Sequence, residues 1–158
     1  MVKLAYDPKM KSPKGPCVIV IHANWCGYCK TLMPKFENEI VTSQDFSKEL
    51  EGLLTLGSIE EAEYNNHPTK NIFGKIDGYP IVRYIRFSQN GKPLKTFDLP
   101  ADTPREPKDI IEWINDVVKN DVVKHSKKRM NGGGKKKNYR QKTMRKKNKK
   151  NKNKTRKQ

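Results

Sequence analysis

Hydrophobic positions along this chain alternate, run together and then recur at helical spacing, in an order that predicts strands interleaved with helices. Val2, Leu4 and Tyr6 alternate with their neighbours, the pattern of a short half-buried strand. Residues 7–16 carry Pro8, Pro13, Gly15 and Pro16 and form a loop, because proline removes a donor and breaks helices. Cys17-Val-Ile-Val-Ile21 is a continuous, mostly β-branched run, as in a strand buried on both faces of a central sheet. Leu32, Met33, Phe36 and Ile40 recur at intervals of three and four, which predicts a helix from near Gly27 to about Leu50, kinked at Pro34. A strand follows over 53–59, then a mixed stretch over 60–76 with a short helix near Thr69 to Phe73. Residues 81–87 and 94–99 are strands around Gln89-Asn-Gly-Lys92, where Asn-Gly is a strong hairpin signal. Ile110, Ile111, Ile114, Val117, Val118 and Val122 stripe a last helix. This order predicts an α/β domain, a central mixed sheet flanked by helices.

Charge divides the chain in two. Of 34 Lys and Arg, 18 lie between Lys124 and Gln158, where there is no Asp or Glu; residues 1–123 hold the other 16 against all 17 acids, a net charge of −1. The last 35 residues offer only Met130, Tyr139 and Met144 as apolar groups. Such a segment cannot bury enough surface to offset its ordering entropy, so the reading is a near-neutral domain over 1–123 with a disordered basic tail over 124–158. The tail fits non-specific contact with nucleic acid or another polyanion through phosphates; with one aromatic residue it lacks the stacking surface for base recognition. Lys127-Lys128-Arg129 and Lys135-Lys136-Lys137 also read as a nuclear localisation signal. No apolar run approaches the roughly 20 residues that span a bilayer. The first 16 residues lack a signal-peptide core, so a cytoplasmic or nuclear protein is expected, or a virion component if a virus encodes it. Three cysteines are too few for a disulfide scaffold.

The chemistry lies in Trp25-Cys26-Gly27-Tyr28-Cys29-Lys30, directly after the buried strand and at the opening of a helix. A CxxC pair at a strand-to-helix junction is far more specific than the pair alone. Two thiols one helical turn apart can bond to each other, and the unsatisfied N–H groups at the helix start stabilise a thiolate on the first. Cys29, a turn deeper, is expected to be less exposed and to resolve the intermediate formed at Cys26.

This hexapeptide resembles the active site of thioredoxins and of the catalytic domains of protein disulfide isomerase, and the resemblance extends over most of residues 2–123. It implies the thioredoxin fold. Pro34 matches the proline that kinks the family's active-site helix. Gly78-Tyr79-Pro80 matches the site where the family carries a cis-proline facing the dithiol, so the Tyr79 backbone and Pro80 are expected to dock an extended substrate beside Cys26. Trp25, Gly27, Tyr28 and Lys30 would support the two cysteines. Two departures stand out: Val20 occupies the position of the family's usual buried carboxylate, and Gly27-Tyr28 is neither the Gly-Pro of typical thioredoxins nor the Gly-His of typical isomerases. His22, near the site, is read either as a proton-transfer group or as a strand-end histidine, with the second favoured.

The expected activity is thiol–disulfide exchange on protein disulfides. A reductase or small thiol would serve as electron partner, with no organic cofactor and no metal. Zinc is disfavoured because a structural site takes four ligands and Cys17, at about 3.3 Å per strand residue, lies roughly 16 Å from the dithiol end. Glu60, Glu61 and Glu63 are read as a solvated face. The competing expectation is a non-catalytic interaction or packaging protein, possessing the same fold as a docking module and the tail as its nucleic-acid contact.

Overall fold

The computed structural model describes residues 4–9, 14–66 and 70–123. The basic tail, 124–158, lies outside the described residues, as do Val2 and the His67-Pro68 step. Five strands form one sheet: β1 (Ala5–Asp7), β2 (Pro16–His22), β3 (Thr55–Glu60), β4 (Ile81–Phe87) and β5 (Pro93–Asp98), in the order β1-β3-β2-β4-β5. β3 runs parallel to both β1 and β2, β4 is antiparallel to β2, and β5 is antiparallel to β4. Among the described residues three α-helices accompany them: α1 (Gly27–Lys35), α2 (Glu61–Asn66) and α3 (Pro107–Val118). This mixed sheet with its flanking helices is the thioredoxin fold.

β2 lies near the middle of the sheet and is buried from Cys17 to Ile21. Its period-two alternation sends Val18 and Val20 into one core with Leu32 and Phe36 of the α1 side and Ile110, Ile114 and Val118 of α3. Cys17, Ile19 and Ile21 go to the opposite core with Phe73 and Ile85. A strand with apolar partners on both faces needs no polar alternation, which is why its run is continuous. In the β4–β5 hairpin, Gly91 has φ +71°, the left-handed conformation that glycine adopts without a Cβ penalty.

The helix expected over Gly27 to about Leu50 is shorter. α1 ends at Lys35, one wide π-type turn covers Phe36–Ile40, and after a loop a 3-10 turn covers Lys48–Leu50. Pro34 lies inside α1, and its nitrogen has no hydrogen to offer the Lys30 carbonyl. Phe46 and Leu50 are buried in the α1-side core although they are not on the helix. Asn115 of α3 holds their loop, accepting from the Ser47 N–H at 3.0 Å and donating to the Asp45 carbonyl at 3.1 Å. The 60–76 stretch contains α2 as well as a 3-10 turn over Lys70–Phe73. No helix among the described residues is long and apolar enough to cross a membrane.

Candidate active site

β2, the central strand, ends at His22, and α1 starts five residues later. Cys26, with extended backbone (φ −79°, ψ 120°), caps the helix: its N–H donates to the Ala23 carbonyl at 3.0 Å, and its Sγ accepts from the Cys29 N–H at 3.3 Å. A sulfur here occupies the place where Ser or Asp would meet a helix's first free N–H groups. On its other side the Cys26 thiol donates to the Tyr79 carbonyl at 3.5 Å. The Tyr79–Pro80 peptide is cis, as the resemblance implies.

Both cysteines are free thiols, with Cys26 7% and Cys29 1% exposed, so the depth order expected from their spacing holds. Burial first, and the adjacent Cys26 sulfur second, push the Cys29 thiol up to about 11. Cys26 is the more exposed of the two; Cys29 lies behind it, its thiol kept protonated by burial.

Trp25 and Tyr28 are 70% and 82% exposed, a large apolar area for two residues that adjoin the dithiol. Trp25 stands edge-on to Tyr79 with ring centroids 5.8 Å apart, and its Nε1 donates to Glu61 Oε2 at 2.6 Å. Gly27 and Lys30 lie exposed on the first turn of α1. The acidic cluster is therefore more than a solvated face: Glu60 accepts from the Asn24 N–H at 3.4 Å and the Ala62 N–H at 2.8 Å, Glu61 holds Trp25, and Glu63 pairs with Lys9 at 3.0 Å. Glu61 sits at the start of α2, and its proximity to Trp25 depends on β3 lying beside β2, which local sequence does not disclose.

Behind the dithiol, Cys29 lines a cavity of about 280 Å³ together with His22, Lys30, Met33 and Glu37. His22 is half-buried, and burial lowers its pKa despite the opposing pull of Glu60, Glu37 and Glu63. Glu37 was not singled out from the sequence, although Cys29, Met33 and Glu37 follow one another at intervals of four. Val20 is fully buried in the core it shares with Leu32 and Phe36, and it does not line this cavity. Cys17 is remote from the site: it donates to the Lys14 and Gly15 carbonyls at 3.6 and 3.9 Å, and burial pushes its thiol up to about 12. Among the described residues no group of three or more His, Cys, Asp or Glu side chains is placed to hold a metal ion.

A five-stranded mixed sheet carrying a CxxC pair at the β2–α1 junction, opposite a cis-proline, defines a thioredoxin-type domain. The chain belongs to the thioredoxin family, whose profile matches residues 1–116. It is 28% identical over 115 residues to a mitochondrial thioredoxin domain-containing protein of Schizosaccharomyces pombe, covering 72% of this chain and 29% of that protein. It is 25% identical over 114 residues to a probable protein disulfide-isomerase, ER-60, of Schistosoma mansoni, covering 72% of this chain and 21% of the relative. The chain thus spans less than a third of the length of these curated relatives. Among solved structures, the Trx4 domain of ERdj5 superposes with a TM-score of 0.49 at 18% identity, covering 76% of this chain and 99% of that one.

Proposed function

We propose that this chain is a thiol–disulfide oxidoreductase acting on protein disulfides. The observation that carries the reading is the placement of Cys26 Sγ between the Cys29 N–H and the Tyr79 carbonyl, with the Cys29 thiol directly behind. In the reductive direction the Cys26 thiolate attacks one sulfur of a substrate disulfide; a Cys26–substrate disulfide forms and the other sulfur leaves as a thiolate. Cys29 loses its proton and attacks Cys26 Sγ, and the second substrate sulfur leaves. Two electrons pass from the dithiol to the substrate, which takes up two protons, and Cys26–Cys29 becomes a disulfide. A reductase or a small thiol restores the dithiol; in the oxidative direction the steps reverse.

Trp25 and Tyr28 offer the apolar surface that a substrate segment covers, and the Tyr79 backbone at Pro80 offers it an extended partner. Glu61 holds Trp25 in place. Deprotonation of buried Cys29 limits turnover, since the strand position of Val20 carries no carboxylate. The protein disulfide-isomerases among the relatives support a protein substrate.

The equilibrium constant of the Cys26–Cys29 couple against glutathione, read by alkylation and intact mass, tests this reading. A reversible two-electron couple between about −270 and −180 mV supports it. A pair that never forms the disulfide overturns it in favour of a docking module. The arm over 124–158 adds a second property: 18 cations without an acid support non-specific polyanion binding, and their basic clusters support a nuclear setting.

A further inference from the structure

Beside the dithiol, the surface opens into a groove of about 490 Å³ lined by Tyr28, Leu32, Lys35, Tyr79, Pro80 and Arg105, among others. Two cations reach it, and they differ in how they are engaged. Lys35 is committed: its Nζ donates to both carboxylate oxygens of Glu106, at 2.9 and 2.7 Å. Arg105 is half-buried, and its Nη1 is shielded from water without a hydrogen-bond partner among the described residues. No acceptor among the described residues competes for this guanidinium, so the part of it that lines the groove is open to an acceptor that a bound segment brings. Its planar fork fits a carboxylate, which can take two of its N–H groups at once. With Lys35 and Glu106 cancelling, the groove holds one unbalanced positive charge. Past Tyr79, which lines the groove and stands edge-on to Trp25, the charge has the reverse sign, with Glu61 on Trp25 and Glu60 on the Asn24 N–H.

We propose that this groove is a subsite for the residues flanking a substrate's reactive cysteine, and that Arg105 selects an Asp or Glu there. The inference rests on the oxidoreductase reading of Cys26 and Cys29 and deepens it by naming the substrate's charge. A segment docked along Tyr79 and Pro80 is then oriented by charge, its acidic side toward Arg105 and away from Glu61.

The test uses the full-length reduced chain in single turnover, so no reductase is needed. Peptides of one sequence carry Asp, Asn or Lys beside a cysteine joined to 4-thiopyridine as a mixed disulfide. The Cys26 thiolate attacks the peptide sulfur, thiopyridine leaves and absorbs one proton, and Cys29 then releases the peptide thiol as Cys26–Cys29 forms. The wild-type chain should react with the Asp peptide about tenfold faster than with the Asn peptide, the size of one charge-assisted contact at a half-buried site. The basic arm favours acidic peptides too, but equally in every variant. R105Q should therefore lose most of the Asp-over-Asn ratio, and R105E should shift preference toward the Lys peptide. The subsite is overturned by a wild-type chain that reacts alike with all three. It is also overturned if R105Q keeps the wild-type ratio, or slows every peptide in proportion, which would place Arg105 on the dithiol. If no peptide reacts faster than it does with free cysteine, the oxidoreductase reading itself fails, a result distinct from a lost preference.

Discussion

The carbonyl of Tyr79 accepts a hydrogen bond from Cys26 Sγ at 3.5 Å across 53 residues of chain. The same sulfur accepts from the Cys29 N–H, so it has a partner both as a thiol that donates and as a thiolate that accepts. An attacking sulfur held this way is separated in role from the thiol behind it. Cys26→Ser should therefore reduce disulfide exchange to the uncatalysed rate, whereas Cys29→Ser should accumulate Cys26-linked mixed disulfides. Non-reducing electrophoresis with intact mass checks both, and Cys29→Ser protein that turns over like the wild type would contradict the assignment.

The second prediction concerns pH. With its thiol pushed up to about 11 by burial and by Cys26, Cys29 is protonated at neutrality, with about one thiolate in ten thousand. In a preformed Cys26 mixed disulfide the Cys26 contribution is gone but burial, the larger cause, remains, so resolution should accelerate with pH between 7 and 9 when followed by stopped-flow release of the second thiol. A flat profile would instead show an internal base, for which His22 and Glu37 are the groups sharing the cavity with Cys29.

Arg83 is a structural anchor behind the site. Only 6% exposed, it donates through Nε and Nη2 to Asp98 and through Nη1 to the Phe73 and Lys75 carbonyls, tying β5 and the segment leading to Tyr79 onto β4. Arg83→Met should lower stability by about 2–4 kcal/mol, discounted because Asp98 is half exposed. Arg83→Lys should recover little, since an ammonium cannot reproduce the fork. Urea unfolding midpoints at constant m distinguish these outcomes.

Asp121 makes stability depend on acid. Burial alone would raise its carboxyl; bonds from Lys95 and Tyr84 and the charge of Arg86 outweigh burial and hold it below the usual value. Tyr84 Oη donates at 2.8 Å, and Lys95 and Arg86 pair with it at 2.8 and 3.2 Å. A depressed folded-state pKa contributes stability that is present above the unfolded value near 4 and is lost as pH falls through the lower folded value. Unfolding midpoints should therefore fall steeply below about pH 4. Asp121→Asn should cost about 1–3 kcal/mol at pH 7 and flatten that decline. An unchanged acid profile in the variant would assign it to other carboxylates.

For the basic arm, the expectation is a salt law. The logarithm of affinity for duplex DNA should fall linearly with the logarithm of salt concentration, at a slope near −0.9 for each phosphate neutralised, and with little sequence preference. Binding that is indifferent to salt would remove the electrostatic account.

The limits of the sequence are visible at particular residues. Leu32, Met33, Phe36 and Ile40 kept a helical rhythm, and that rhythm continued on paper to Leu50. In the folded chain α1 ends at Lys35; Phe46 enters the core from a loop that Asn115, some seventy positions away, holds at Asp45 and Ser47, and Leu50 from the 3-10 turn that follows. Periodicity records which residues are buried, not which element buries them. Glu61 looked solvated because its partner, Trp25, is 36 residues distant.

By itself the sequence determined the local matters. They are the continuous β2 run, the hairpin at Asn90-Gly91, the stripe of α3, the thiol pair at helical spacing, and the uneven placement of charge, near neutral over 1–123 and strongly basic over 124–158. Each follows from backbone geometry or composition over a few neighbouring residues. The tertiary structure alone decided that the Tyr79 carbonyl meets Cys26, that Glu61 holds Trp25, that His22 and Glu37 share a cavity with Cys29, and that Arg105 is left with a buried donor beside the groove. Those relationships depend on the sheet order β1-β3-β2-β4-β5, which brings distant segments together through burial that no short window of sequence encodes.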